Sequence, residues 1–248
     1  MKKLAGSLGL FAVLVVSAPL ARANYVLSYS VTGVPGATQC AAPPSDTLAS
    51  CFAAPTFIGG AAGITITQFT GTSNSPGTPG LSRQTGSVVD IITTGPGTLD
   101  LWLGAPDFTN PSALPLIDTT SLTIIPTFGI GSANLANCVD LSNGTVPPPP
   151  LPGTAFCVTP AGGTPVLNSA TYSGTTSLAS NNHATLTSIS TPFSLSEHIV
   201  IAFTTASEIE IQTRQVLSAV PEPASIILLG TTTLGLISLL RKKVANRA

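Results

Sequence analysis

The amino-acid sequence predicts an all-β fold, an antiparallel two-sheet β-sandwich, with a signal-peptide helix at the N-terminus and a transmembrane helix at the C-terminus. Three observations carry this reading. Short runs alternate polar with apolar residues, as half-buried strands require. Clusters of Gly, Pro, Asn and Ser interrupt those runs at close intervals. No segment before residue 224 keeps a helical period.

Taken in order, Met1-Lys2-Lys3 is a positive start, Leu8 to Val16 is almost unbroken apolar chain, and Ala21-Arg22-Ala23 closes the segment with small residues around one base. That is the pattern of a secretory signal peptide, residues 1–23, cut between Ala23 and Asn24 by signal peptidase after passage through the Sec machinery. Ser17-Ala18-Pro19 ends the apolar run well short of the roughly 20 residues a bilayer span needs.

Residues 24–219 form the expected sandwich, a length suited to one all-β domain. In Ile64-Thr65-Ile66-Thr67 and in Leu99-Asp100-Leu101-Trp102-Leu103 the apolar residues share one face. Further strands are expected over residues 25–32, 87–93, 121–128, 155–159, 185–190, 197–205 and 207–218. The last two make a hairpin about Ala206-Ser207, with Glu208, Glu210, Gln212 and Arg214 on its wet face. Residues 73–80 read as a turn-rich connection, and Pro147 to Pro152 as a stiff polyproline II spacer.

From residue 24 to 220 the only bases are Arg83 and Arg214, against nine acids, so this part carries about seven negative charges while the whole chain carries only -1. Phosphate binding needs Lys and Arg in number, so nucleic acid is excluded as a partner. Cys40, Cys51, Cys138 and Cys157 are an even set in an exported chain and are expected to form disulfides. Four cysteines allow three connectivities; proximity in sequence favours Cys40 with Cys51 and Cys138 with Cys157, each closing a short loop in a loop-like stretch.

Candidate chemistry is sparse, and neither a metal site, a cofactor nor a catalytic residue is assigned. His183, in Ser180-Asn181-Asn182-His183, reads as a turn residue, and His198 opens a strand beside Glu197; no nucleophile elbow accompanies either. Glu208 and Glu210 share a face without an aromatic platform, so a solvated strand is the better reading than a glycosidase pair. Asp100, Asp107 and Asp118 are placed at loops at the sheet ends, where calcium is conceivable but the spacing is not that of a calcium loop. Trp102, the one Trp, stands opposite the Leu99, Leu101 and Leu103 face and is the candidate ring for stacking on a sugar.

Residues 220–248 form a unit of their own. Pro221-Glu222-Pro223 precedes an uncharged, mostly apolar stretch, residues 224–240, and Arg241-Lys242-Lys243 opens a basic tail, residues 241–248. As a helix the apolar stretch would be about 26 Å long, enough to cross a membrane, and the basic tail should stay on the cytoplasmic side. The two prolines keep the tripeptide extended just outside the bilayer. This arrangement resembles the PEP-CTERM sorting segment of Gram-negative bacteria, with Val220-Pro221-Glu222-Pro223-Ala224-Ser225, an apolar helix containing Leu228-Leu229-Gly230, and the basic terminus in order. Residues 99–111 and 193–199 also resemble strand-and-turn text in passenger proteins of that family. The resemblance implies an exosortase as processing partner, temporary anchoring in the inner membrane, and delivery to the cell surface or an exopolysaccharide matrix, without catalytic activity. The alternative is a surface binding module for carbohydrate, or a calcium-dependent adhesin.

Overall fold

A computed structural model of the chain describes residues 26–31, 39–41, 48–51, 56–58, 63–75, 77–144, 157, 159–162 and 165–220. The expected signal peptide, the Pro147 to Pro152 spacer, the Pro221-Glu222-Pro223 motif, the apolar stretch and the basic tail lie outside these residues.

Within them the chain forms thirteen strands. They are β1 (Val26–Val31), β2 (Gln39–Ala41), β3 (Leu48–Cys51), β4 (Thr56–Ile58), β5 (Ile64–Ser73), β6 (Leu81–Thr93) and β7 (Gly97–Phe108). The remainder are β8 (Leu116–Phe128), β9 (Ile130–Asp140), β10 (Val166–Ser173), β11 (Leu178–Leu186), β12 (Phe193–Phe203) and β13 (Ser207–Ala219). They build two antiparallel sheets. The first runs β10-β9-β12-β7-β1-β2 and the second β11-β8-β13-β6-β5-β3, with β4 also paired to β5.

Alternation does the work that the sequence predicts. Leu99, Leu101 and Leu103 of β7 and Ile199, Ile201 and Phe203 of β12 face inward from the first sheet, and Ile64, Ile66, Leu122, Ile124, Ile209 and Ile211 meet them from the second. Such sheets pack about 10 Å apart and fill the gap with interleaved side chains. The predicted hairpin is not formed: Thr204, Thr205 and Ala206 do join β12 to β13, but the two strands belong to different sheets, so the turn is a corner between sheets rather than the end of a ladder. Gly129 makes a second corner, from β8 to β9, in one residue. Its φ of 98° and the space around it admit no side chain, since a Cβ would lie 2.0 Å from the Ser207 hydroxyl.

Six further expectations are corrected. Residues 130–140 were not expected to be a strand, yet β9 pairs with both β12 and β10, and that pairing outweighs its Asn and Gly content. His183 is not in a turn, because the Asn-rich segment is the edge strand β11, paired with β8 over nine residues. Strand structure expected over 185–190 ends at Leu186, and Cys157 and Thr159 lie outside any strand. Cys138 sits in β9 rather than in a loop, and His198 lies inside β12 rather than at its start.

Candidate functional site

The outer face of the second sheet carries a groove of about 400 Å³, bounded by β5, β6, β13 and β8. Register dictates its content. One row across the sheet is Thr70, Ser87, Gln212 and Thr123; the next is Thr72, Thr85, Arg214 and Ser121. Neighbouring strands stand about 4.8 Å apart and rows about 7 Å apart, so the face is a lattice of hydroxyls, one amide and one guanidinium. Hydrogen bonds between neighbours hold it: Thr72 Oγ1 to Thr85 Oγ1 at 2.6 Å, Thr70 Oγ1 to the Ser87 carbonyl at 3.4 Å, and Gln212 Nε2 to Glu210 Oε1 at 2.9 Å.

Between the two rows the floor is backbone, because Gly71, Gly86 and Thr213 of the intervening row point inward. Gly86 points inward, and a Cβ there would stand 2.2 Å from Leu103 Cδ2 and 2.8 Å from Thr213 Oγ1. The chemistry offered outward is donation and acceptance by hydroxyls and an amide, with one planar cation. The volume falls within the range of ligand clefts, though no aliphatic or aromatic residue lines it, where such clefts usually carry several.

Beneath that floor, between the sheets, lies a buried polar cluster that the sequence reading did not single out as a unit. Asp118 of β8 accepts hydrogen bonds from Asn137 Nδ2 at 2.8 Å and from Gln215 Nε2 at 3.3 Å to each carboxylate oxygen. Gln215 Nε2 also donates to the Cys138 carbonyl at 3.1 Å, and its Oε1 accepts from Gln84 Nε2 at 2.9 Å. Glu197 of β12 accepts from the Thr213 hydroxyl at 2.5 Å. Both acids are buried, Asp118 at 2% exposure and Glu197 at 0%.

Burial lifts the Asp118 carboxyl to about 7, although the Gln215 and Asn137 amides pull the other way. Burial likewise lifts Glu197 to about 8, opposed by the Thr213 hydroxyl and reinforced by the charge on Asp118. The hydrogen-bond inventory agrees with protonation. Gln84 Oε1, Asn137 Oδ1 and Glu197 Oε1 are buried acceptors without a donor, and Glu197 stands directly opposite Asn137 in register. A proton on Glu197 brings a donor to a cluster short of them.

Asp118 therefore is not a loop residue facing solvent: it is the third residue of β8, and its side chain points into the core. The other two calcium candidates stand elsewhere and are not brought together with it. Asp107 Oδ1 accepts from Asn143 Nδ2 at 2.9 Å. Asp100 Oδ1 lies 3.0 Å from His198 Nε2 on the outer face of the first sheet.

Trp102 is on the face expected, opposite Leu101 and Leu103, but it is 4% exposed and offers no platform to solvent. The reason is its register partner, His198, whose imidazole stacks flat on the indole at 4.9 Å and 6°. Glu208 and Glu210 share the outer face of β13 as expected. The partners of Glu208 in register are Ile92 and Phe128, both exposed.

Cys138 and Cys157 are bonded, and the staple ties the segment after it back onto the first sheet. Leu141 N donates to the Thr159 carbonyl at 2.9 Å, Ala161 N donates to the Val139 carbonyl at 2.8 Å, and Asp140 Oδ1 accepts from Ser142 N and Thr159 N. Cys40 and Cys51 belong to β2 and β3; their side chains lie outside the described residues, as do Ala23, Asn24, Pro221, Glu222, Pro223, Arg241, Lys242 and Lys243.

No protein-family model matches the chain, nor does any curated protein. Among solved structures it is similar to TmCBM61 in complex with beta-1,4-galactotriose, at 7% identity and a TM-score of 0.25, over 77% of this chain and 86% of that one. It is also similar to a family 11 carbohydrate-binding module from Clostridium thermocellum bound to a mixed-linked tetrasaccharide, at 11% identity and a TM-score of 0.31, over 77% and 96%. A third similarity is to the enzymatically active domain of tailspike protein 4 of bacteriophage CBA120, at 12% identity and a TM-score of 0.21, over 76% of this chain and 18% of that one. At such identities and overlaps, any functional reading rests on this chain's own residues.

Proposed function

We propose that this chain is an exported β-sandwich of the cell surface or extracellular polymer matrix, and that it binds carbohydrate in the groove on its second sheet. The observation that carries the proposal is the groove itself, where two rows of hydroxyls flank Gln212 and Arg214 over a side-chain-free floor. A sugar ring presents hydroxyls at its rim, and a lattice of alternating donors and acceptors matches that rim directly or through water. Trp102 has no part in this reading, because it is packed on the other sheet.

Glycan-array binding followed by calorimetry tests it. Truncating Gln212 or Arg214 to Ala should weaken binding roughly tenfold or more, the scale of one lost polar contact to a charged or amide group, and leave the melting temperature unchanged. Retention of full affinity in both variants would remove the groove as the site. Trp102→Ala, by contrast, should lower stability without a selective loss of binding.

Delivery is the second part of the proposal. The Cys138–Cys157 disulfide is the chemistry of an oxidising compartment and supports export. Pro221-Glu222-Pro223 is presented to an exosortase, residues 224–240 hold the chain in the inner membrane during processing, and the Arg241-Lys242-Lys243 tail sets topology. Mature protein recovered from the surface should begin at Asn24 and lack residues beyond about 225. An intact basic tail in its mass spectrum would instead make the helix a permanent anchor. We read the chain as a binding protein rather than an enzyme, since the His198 and Asp100 pair is built into a stacked packing unit with Trp102.

A further inference from the structure

We infer that the carbohydrate taken by the groove is an anionic polysaccharide, and that Arg83 and Arg214 select it through the acidic groups along the polymer. This rests on the carbohydrate reading above. Residues 24–220 hold two bases and nine acids, and the fold places both bases on one face of one sheet. Arg214 of β13 opposes Thr85 of β6, and Arg83 lies two residues from Thr85 on the same side of the same strand. Diagonal neighbours of this kind have backbones about 7–8 Å apart, so the two long side chains share one end of this face, Arg214 lining the groove and Arg83 in the next row beside it.

Both guanidiniums are exposed and, among the described residues, neither is in an ion pair. An unpaired Arg on an acidic protein is a local positive site in a negative field. Its planar fork matches a carboxylate or an ester sulfate in a way hydroxyls do not. Along β13 the outward residues run Glu208, Glu210, Gln212, Arg214, a gradient from acid to base. Glu210 stands about 14 Å from Arg214 and Glu208 about 20 Å, both beyond the roughly 8 Å over which charges act across physiological salt. The acids thus leave the basic end unneutralised and confine an anionic chain to it.

The test compares polygalacturonate with its carboxyl-reduced, neutral counterpart, and dextran sulfate with dextran, using the full-length chain in detergent. The expected result is a preference of tenfold or more for each charged polymer at low salt, shrinking as salt rises. In an Arg83→Gln and Arg214→Gln double variant the ratio of charged to neutral affinity should fall to about one with the melting curve unmoved, neutral binding dropping only by the loss already expected at Arg214. Preference for polygalacturonate alone assigns the carboxylate, for dextran sulfate alone the sulfate, and either supports the inference. Equal binding of charged and neutral polymers overturns it while leaving the carbohydrate reading in place; binding of none overturns both.

Discussion

Raising the pH from 5 to 9 should lower the melting temperature by more than about 10 °C, the size of a loss of several kcal/mol in a domain of this length. The cause is the buried acid pair. Asp118 and Glu197 hold their protons in the folded protein up to about 7 and about 8, whereas in the unfolded chain both ionise near 4. The folded state binds protons more tightly, so the stability they contribute is full below about pH 4 and drains away as pH climbs through 7 to 8. Ionising either carboxyl in place costs on the order of 4 kcal/mol. Asp118 ionises first, because Gln215 and Asn137 donate to it, and its charge then keeps the proton on Glu197.

Two variants separate these roles. Glu197→Gln keeps a neutral side chain with donors facing Asn137, so it should be close to the parent at pH 5, more stable at pH 9, and show a flatter pH profile. Asp118→Asn removes one of the oxygens that accept from Gln215 and Asn137 and should cost about 1–3 kcal/mol even at pH 5. Melting curves from pH 4 to 9 decide it; a parent curve that is flat or rises with pH would mean the pair is not protonated in the fold.

Loss of the Cys138–Cys157 disulfide should cost about 3 kcal/mol, the chain-entropy value for a closed loop of this size, with a sequence separation of 19. A Cys138→Ala and Cys157→Ala double variant should melt about 10 °C lower. Reductant should lower the midpoint of the parent at least as far. Equal midpoints for parent and variant, with and without reductant, would show that the segment is held by its hydrogen bonds to Val139 and Leu141 alone.

The strands with clean apolar alternation were legible in the sequence. β5, β7, β12 and β13 repeat Ile, Leu or Phe on one face, and burial enforces that face. β9, β10 and β11 were not, because Asn134, Asn137, Asn168 and Asn181 look like turn chemistry until a neighbouring strand occupies their backbones. The groove rows were legible only in part, since periodicity places Gln212 and Arg214 outward but only register sets them beside Thr85, Ser87, Ser121 and Thr123. The acid pair had a signal that alternation itself supplies. Leu195, Glu197, Ile199 and Leu116, Asp118, Thr120, Leu122 each put a polar side chain on the core face, and an acid in that phase is a buried acid. Trp102 failed as a sugar platform because exposure depends on what lies across the strand, and His198 lies there.

Gly86 leaves the sandwich with a division of labour in how it can change. The position has no freedom, since any added carbon meets Leu103 and the hydroxyl that grips Glu197. The residues on either side of it, Thr85 and Ser87, and those opposite them, Thr70, Thr72, Gln212 and Arg214, face outward and touch none of the interior. Substitution at these six can reshape which polymer is held without disturbing what keeps the two sheets together. An evolving lineage could thus explore ligands along the rim while the floor stays fixed.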